Sequence, residues 1–408
     1  MTFTYRHTLA ACYTGYITQA IVNNLAPLLF VTFQTEFSLS LPMIGALISV
    51  NFVTQILTDL ICAKYVDRIG YRAAAVLAHI LATLGLLCFA VLPDLLPNAY
   101  AGVLIAMVLC AIGGGLNEVL ISPIVESLPG DAKAQAMSLL HSFYCWGHMG
   151  VALLSTLFFS TLGVGNWRVL CALWAIVPLL NTFLFAKVPL AVLVAEDERV
   201  PLGRLFRQRI FWLFMILMIA AGASEQAMSQ WSSLFAETGL GVSKAMGDLL
   251  GPCAFALLMG LSRLFYGVRG EKLNLHVCLV GSALLCVASY LLAVFSPSPI
   301  LSLVGCAMTG LSVGMMWPGT FSLAAAGYPQ GGTAMFAMLA FAGDVGCASG
   351  PALVSAVSGL AGRAGDELTG LLHAATMESV GLKLGLLVAI VFPVVMASGV
   401  AVLKKRER

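Results

Sequence analysis

The chain has 408 residues, of which 60% are hydrophobic and only 10% are charged, and its mean hydropathy is +0.96. A soluble domain carries about 25% charged residues, so this composition excludes a water-soluble enzyme. The net charge of +2 is not gathered into a basic face, which argues against a nucleic-acid partner. We therefore expect a polytopic membrane protein in contact with the lipid bilayer along most of its length.

Apolar windows broken by proline, glycine or charge predict twelve transmembrane spans, because each span needs about 20 apolar residues. All should be helical, since lipid requires backbone polar groups to pair internally. In chain order, the predicted spans 1 to 12 cover residues 8–33, 42–63, 72–93, 99–125, 134–162, 167–187, 210–236, 245–268, 273–295, 299–326, 332–358 and 380–403.

The longest interior connection, residues 188–209, carries three acids followed by four arginines and lies halfway along the chain. We interpret it as a cytoplasmic linker between two six-helix halves, residues 1–187 and 210–408. Glycine positions repeat at a shift of about 200 residues, as in Gly70 with Gly270 and Gly150 with Gly350, which favours a parallel repeat. The predicted fold class is an all-α membrane protein of twelve helices in two pseudo-symmetric halves.

Basic residues give the orientation. With both termini cytoplasmic, 17 of the 21 Lys and Arg residues, Arg263 among them, fall on the inner side. The positive-inside rule therefore predicts cytoplasmic termini. We expect a multi-pass monomer in the inner (plasma) membrane.

Two motifs carry a family resemblance. The segment between spans 2 and 3 reads Ala63-Lys-Tyr-Val-Asp67-Arg68-Ile-Gly70-Tyr-Arg72. It resembles the GxxxDRxGRR signature of the major facilitator superfamily, with Ala63 in place of the first glycine and Tyr71 in place of a basic residue. Asn166-Trp167-Arg168, at the start of span 6, is also typical of that superfamily.

Two further segments resemble one branch of the superfamily, the fucose/glucose permeases. Span 4 carries an acid followed by Ser122-Pro123, where the branch has Asn-Pro, and span 10 carries Trp317-Pro-Gly-Thr-Phe-Ser-Leu. The resemblance implies alternating-access transport of a small polar solute, most often a monosaccharide, driven by an ion gradient.

Four acids lie within spans: Asp59, Glu118, Glu225 and Asp344. A charged carboxylate at mid-bilayer costs at least ~2.5–3.5 kcal/mol, so each must face a cavity or a partner, or be protonated. We predict that Glu118 is the coupling residue, because span 4 is loosened around it by Gly113 to Gly115 and by Pro123; the alternative is a protonated Glu118 that only bonds across helices. Asp344 is predicted as a second ion ligand or a substrate acceptor, and sodium coordination there stays open.

The substrate site is predicted from amides, phenols, imidazoles and indoles in the spans, which need partners in lipid-length helices. Helix–helix bonding is the competing role for each residue. The predicted substrate-binding residues are Asn24, Gln55, Asn117, His141, Trp146, Glu225, Gln226, Gln230, Trp231 and Trp317. No cofactor is expected, and no metal site, because His141 and His148 have no further ligand at suitable spacing.

A gate is predicted from the charges at the cytoplasmic ends of spans 2 and 3. A carboxylate and a guanidinium can pair across neighbouring helices in one conformer and separate in another. The predicted gating residues are Asp59, Asp67, Arg68 and Arg72. The competing interpretation is a charged turn that sets topology alone.

The leading hypothesis is a proton-coupled symporter for a monosaccharide, with the substrate and H⁺ as partners. A sodium-coupled sugar symporter and an exporter of drugs or metabolites are the alternatives within transport. A membrane-embedded enzyme is disfavoured, because the spans carry no nucleophile–base pair. A sensor that does not transport is also compatible with the sequence.

Overall fold

A computed structural model describes residues 3–129, 133–190, 206–269, 274–327, 332–360, 367–374 and 376–406. All regular structure in these ranges is helical. Eleven helical segments are long and apolar enough to cross a membrane, and a bent pair, Tyr5–Leu28 with Phe30–Phe37, raises the number to twelve. The prediction of a twelve-helix membrane protein is confirmed.

The helices of the first half follow the predicted spans closely. Span 1 consists of Tyr5–Asn24, a 3-10 turn Ala26–Leu29 and Phe30–Phe37. Spans 2 to 6 are Leu41–Ile69, Tyr71–Leu95, Ala99–Ser127, Lys133–Leu162 and Trp167–Lys187. A 3-10 turn, Val164–Asn166, precedes span 6.

The helices of the second half are more often interrupted. Span 7 comprises Arg209–Ser229, Ser232–Leu234 and a π-helical turn, Phe235–Gly239. Span 8 comprises Lys244–Asp248, a π-helical turn Leu249–Cys253 and Ala254–Arg269. Span 9 is Leu275–Phe295, span 10 is Pro299–Val313 with Met316–Gly327, and span 11 is Gly332–Leu360. A short helix, Glu367–Leu371, precedes span 12, which is Met377–Ala389 with Val391–Arg406.

Prolines account for three of these interruptions. The spans that contain them were predicted from the sequence as continuous helices. A proline has no amide hydrogen for the carbonyl four residues earlier. Pro27 follows the end of the first helix at Asn24, Pro318 lies four residues after Gly314 at the break in span 10, and Pro393 follows the break at Ile390. The two parts of span 1 meet at 46°.

The chain divides into two compact units, Met1–Ala195 and Glu196–Arg408. Residues 191–205 of the predicted linker lie outside the described residues, so the predicted boundaries of the halves stay a prediction. In the first unit, a core cluster joins apolar residues of spans 1, 3, 4, 5 and 6, including Ala11, Ala75, Ile121, Leu140 and Phe185.

In the second unit, spans 7 and 11 approach through glycine. A β-carbon added to Gly346 would lie 2.2 Å from the Ile219 carbonyl oxygen, and one added to Gly350 would lie 2.5 Å from the Ala223 carbonyl oxygen. Such backbone-to-backbone contact needs residues without side chains. Gly150, the predicted repeat partner of Gly350, has open space around it, so the two glycines serve different purposes.

Candidate functional site

A chain of carboxamides links spans 1, 2 and 4 around Glu118. The Gln19 Nε2 donates to Glu118 Oε2 at 3.0 Å and to Gln55 Oε1 at 3.2 Å. Gln55 Nε2 in turn donates to Asn23 Oδ1 at 2.9 Å, and Asn51 Nδ2 approaches the same oxygen at 3.4 Å. The four amides are buried and Glu118 is half-buried. The predicted coupling residue therefore lies at one end of a hydrogen-bonded network that crosses three helices.

The glycines of span 4 make room for this network. A β-carbon on Gly114 would lie 3.3 Å from Gln19 Oε1 and 3.4 Å from Gln55 Oε1. On Gly115 it would lie 3.0 Å from Asp59 Oδ1, the Gln55 carbonyl oxygen and Thr58 Cβ. The sequence predicts a helix loosened at these glycines. In the structure they lie in a continuous helix, where they let polar side chains of spans 1 and 2 approach it.

Several amide atoms of this region have no hydrogen-bond partner among the described residues. They are Gln19 Oε1, Asn51 Oδ1, and both Oδ1 and Nδ2 of Asn117, whose side chain is 1% exposed. Buried amides are normally satisfied by protein, water or ligand. Span 4 thus presents a complete carboxamide, one residue before Glu118, whose donors and acceptor bond to no described residue.

Span 5 supplies the aromatic side of the first half. Asn24 Nδ2 donates to the Tyr144 hydroxyl at 3.3 Å and to the Ala20 carbonyl at 2.9 Å. The exposed His141 ring meets Tyr16 edge-on, with ring centroids 5.3 Å apart. Trp146 is half-buried. Asn24 and His141 thus contact other polar or aromatic residues of the same half, and their predicted role in binding stays a prediction.

In the second half, Glu225 of span 7 pairs with Arg263 of span 8. Arg263 Nη2 lies 3.1 Å from Glu225 Oε2, and both side chains are largely buried. The other carboxylate oxygen, Oε1, accepts from Gln226 Nε2 at 3.3 Å, and Gln226 Oε1 accepts from Gln230 Nε2 at 3.1 Å. Three predicted substrate residues are therefore brought together as one hydrogen-bonded row, with a guanidinium at its end.

The two tryptophans of this half have different surroundings. Trp231 is fully buried and its indole N–H donates to the Pro351 carbonyl at 3.2 Å, so it packs span 7 against span 11. Trp317 is half-buried and lies over Gly343, where an added β-carbon would be 2.1 Å from Cη2 of the ring. Asp344, the next residue, is 7% exposed. Stacking of either indole on a substrate stays a prediction.

The predicted gate is described only in part. Asp59 is half-buried in span 2 beside Gly115. The side chains of Asp67 and Arg68 lie outside the described residues. The Arg72 guanidinium donates to the carbonyls of Phe185, Ala186 and Val188 at 2.8–2.9 Å, so its described contacts cap the end of span 6 within the first half.

Sequence reasoning missed the charged residues that work inside the helices. Arg263 was counted as an inner-side charge, yet it lies within the apolar segment Lys244–Tyr266 and pairs with Glu225. Lys383, one of the four Lys and Arg residues not counted on the inner side, is 1% exposed and donates to the Leu372 carbonyl at 2.6 Å. A basic residue inside an apolar window was the available signal in both cases.

Two ion clusters were also missed, although their members were visible as charges at span ends. Lys244 lies 3.1 Å from both Glu237 and Asp248, and Ser233 donates to Asp248. In the first half, Arg168 bonds to Glu36 at 2.6 Å and to Asp94 at 2.7 Å. These clusters join span 7 to span 8, and span 6 to spans 1 and 3.

Metal binding finds no support in the side chains described. No group of three or more His, Cys, Asp or Glu residues in the described part of the chain could hold a metal ion. His79 serves the packing of the first half: Nδ1 bonds the Ala75 carbonyl at 2.8 Å and Nε2 lies 2.7 Å from Asn181 Nδ2.

Comparison with known proteins identifies the class. The family model for the Major Facilitator Superfamily matches residues 12–351. No curated protein matches the chain significantly. Among solved structures, a bacterial homologue of the human lysosomal transporter Spinster, inward-facing and occupied, has a TM-score of 0.74 at 16% identity, covering 98% of this chain and 97% of its own.

Two sugar symporters have the same fold. A D-xylose-proton symporter has a TM-score of 0.72 at 16% identity over 95% of each chain. The E. coli fucose:proton symporter, FucP, has a TM-score of 0.66 at 15% identity over 97% of this chain and 98% of its own. At these identities the likeness establishes the fold.

Proposed function

This chain belongs to the major facilitator superfamily and is a membrane transporter rather than an enzyme, and we propose that it carries a small hydroxylated solute of the monosaccharide class by proton symport. In this proposal both termini lie in the cytoplasm, and the protein works as a monomer in the inner (plasma) membrane. Glu118 carries the coupling proton. Within the first half the proposed solute contacts are the buried amides, and within the second half they are the amides of Gln226 and Gln230.

The observation that carries the proposal is the network around Glu118. Its members are carboxamides, which both donate and accept hydrogen bonds, as sugar hydroxyls do. The unused atoms of Gln19, Asn51 and Asn117 provide capacity for a polar ligand inside an apolar protein. An exporter of amphipathic compounds would be better served by an apolar pocket.

A side chain that carries a proton must keep its position and its hydrogen bonds in both the charged and the neutral form. Glu118 is half-buried and is held by the neutral Gln19 amide. An amide N–H can bond either to a carboxylate or to the carbonyl oxygen of a protonated carboxyl group. Glu225, by contrast, is paired with the guanidinium of Arg263. Glu118 therefore suits proton exchange, whereas Glu225 takes part in an ion pair.

The solved symporters are consistent with this proposal. The names of two proteins with this fold state proton-coupled transport of xylose and fucose. The name of the Spinster homologue states transport and no solute. The proposal for this chain therefore depends on its own amides and on Glu118.

Uptake into proteoliposomes tests the proposal. Purified protein is reconstituted, and labelled hexoses, 6-deoxyhexoses and pentoses are offered under an inward proton gradient, an inward sodium gradient, or neither. We expect accumulation above equilibrium with the proton gradient alone, abolished by a protonophore. Accumulation with the sodium gradient alone would show that sodium, and not a proton, is the coupling ion. Failure of every sugar to enter would refute the substrate class.

Orientation and oligomeric state need separate measurements. Single cysteines introduced near residues 4 and 406 should react with a membrane-impermeant thiol reagent only after the cytoplasmic side is opened. Mass measurement in detergent solution should give the mass of one chain. Labelling of either terminus from outside would contradict the orientation.

A further inference from the structure

The Glu225–Arg263 pair is an unusual way to join two neighbouring helices inside an apolar protein. Arg263 lies in the middle of the last helix of span 8, Ala254–Arg269, and its Nη2 is 3.1 Å from Glu225 Oε2. Their side chains are 16% and 8% exposed. Ionisable residues at such positions are rare and generally have a function.

Helix packing alone does not require this pair. In the first half, spans 1 and 2 are joined by the neutral amides of Gln19 and Gln55, 3.2 Å apart. A buried ion pair is seldom more stabilising than a well-packed neutral pair, because both charges lose their hydration. The use of an ion pair between spans 7 and 8 therefore calls for a role beyond stability.

The surroundings of the pair suggest what that role is. A guanidinium is a planar group that binds carboxylates through two parallel hydrogen bonds. Gln226 bonds to the other carboxylate oxygen of Glu225, and Gln230 bonds to Gln226; carboxamides bond well to hydroxyls. A carboxylate receptor thus adjoins a set of hydroxyl receptors within one half of the protein.

We propose that the solute is an acid, a polyhydroxylated carboxylate such as a uronate or aldonate, whose carboxylate replaces Glu225 on Arg263. This inference rests on the proposed function and narrows its substrate class. Arg263 is paired with one carboxylate before this exchange and with one carboxylate after it. The ion pair with Arg263 opens, the Glu225 carboxylate keeps its hydrogen bond from Gln226 Nε2, and the guanidinium donates its hydrogen bonds to the incoming carboxylate. Release of the solute reverses each step.

Among the described residues, a few other titratable side chains lie near Glu225 on span 7. Tyr290 of span 9 donates its hydroxyl to the Ser224 carbonyl at 2.9 Å. On span 11, Cys347 lies beside Gly222, and Asp344 follows Gly343, which also touches Gly222. Arg263 is the cation that contacts the Glu225 carboxylate directly.

Two substitutions separate this role from a purely structural ion pair. Arg263→Gln removes the receptor and should weaken binding of a uronate about 10- to 100-fold. Glu225→Gln removes the competing carboxylate and should leave uronate binding as tight as in the wild type or tighter. A structural ion pair predicts instead that both single variants are impaired together.

The test measures equilibrium binding of D-glucuronate, D-galacturonate and D-gluconate, each against its neutral parent sugar, to full-length protein in nanodiscs. The double variant Glu225→Gln with Arg263→Gln removes both charges, so it replaces Arg263→Gln in the test if that single variant fails to fold. It should bind acids no better than the parent sugars. Arg168→Gln, which removes an arginine of the Glu36–Arg168–Asp94 cluster, is the control and should keep the preference for acids.

The outcomes are distinct. Preference for an acid that disappears with Arg263 and survives loss of Glu225 supports the proposal. Binding of neutral sugars as tight as that of their acids overturns it and leaves the proposed function standing. A preference for acids that persists in Arg263→Gln also overturns it. Failure of every acid and every sugar to bind refutes the proposed function itself.

Discussion

The side-chain nitrogen of Gln19 donates to both Glu118 and Gln55, at 3.0 and 3.2 Å. One amide of span 1 therefore holds the carboxyl group of span 4 and the amide of span 2 together. Protonation of Glu118 converts a charge-assisted hydrogen bond into a neutral one, which is about half as strong. A proton on Glu118 should therefore loosen the contact between spans 1 and 4.

The first prediction concerns proton coupling at Glu118. Glu118→Gln keeps the shape of the side chain and its bond to Gln19 but cannot release a proton. We expect counterflow exchange of the solute to persist, since exchange needs only reorientation of the loaded protein, while uphill accumulation is lost. Both are measured in proteoliposomes with labelled solute.

Glu36→Gln is the matched control for the first prediction. It also replaces a glutamate by its amide, but Glu36 belongs to the ion cluster with Arg168. Accumulation should survive in this variant. A Glu118→Gln protein that still concentrates the solute would exclude Glu118 as the carrier.

The second prediction concerns the unused amide of Asn117. Replacement by leucine, which is similar in size, removes two buried polar atoms that bond to no described residue. Stability should stay the same or rise, since an unsatisfied buried amide is unfavourable. Solute affinity should fall by about 1–3 kcal/mol, the cost of an unmade hydrogen bond.

Thermal unfolding in detergent and equilibrium binding check the second prediction on the same samples. Asn181→Leu is a useful comparison, because Asn181 Nδ2 donates to the Ala11 carbonyl at 3.0 Å. That variant should lose stability. Unchanged affinity in Asn117→Leu would remove Asn117 from the binding site.

The sequence allowed the twelve helices and their order to be predicted, because apolar runs of lipid length leave little choice. It also named Asn24, Gln55 and Asn117, amides of spans 1, 2 and 4, among the predicted substrate-binding residues. It did not show which atoms meet, because contacts depend on the rotation of each helix. The rotation of spans 7 and 8 turns Arg263 and Glu225 toward each other. Because the sequence does not give that rotation, Arg263 was predicted as a charge on the inner side.

The glycines illustrate a second limit. A run of glycines in span 4 can mean a flexible helix or a close contact, and sequence alone does not distinguish them. The structure shows contact, with Gly115 beside Asp59 and Thr58. Gly70 shows a further use of glycine: with its φ of +86° it forms the turn between spans 2 and 3.

The third prediction concerns the packing of spans 7 and 11. Gly346→Ala should lower the free energy of unfolding by about 1–3 kcal/mol, because the added methyl group meets the backbone of Ile219 at 2.2 Å and cannot be accommodated without moving a helix. Gly281→Ala, where the new methyl group meets nothing within 4 Å, is the control. Equal thermal stability of the two variants would show that the close approach does not hold.

The last prediction separates two roles within the signature motif. We propose that Asp67 and Arg68 act in the cytoplasmic gate, so Asp67→Asn removes a contact made in one conformer and shifts the equilibrium by the free energy of that contact. The variant should populate inward-facing conformers more and turn over more slowly. Arg72 is different, because its guanidinium caps three carbonyls at the end of span 6. Arg72→Lys keeps the charge that sets topology but loses the planar fork, so it should lower stability by about 1–3 kcal/mol and leave the distribution of conformers unchanged.

Distances between spin labels across the cytoplasmic mouth report the conformers, and thermal unfolding reports the stability. A shifted distribution in Asp67→Asn with normal stability, beside the reverse in Arg72→Lys, is the expected result. The same distribution in Asp67→Asn as in the wild type would mean that the motif, which already has Ala63 in place of its first glycine, serves topology alone. A shifted distribution of conformers in Arg72→Lys would indicate that Arg72 acts in the gate. The loss of three hydrogen bonds to carbonyls within one half would not by itself change that distribution.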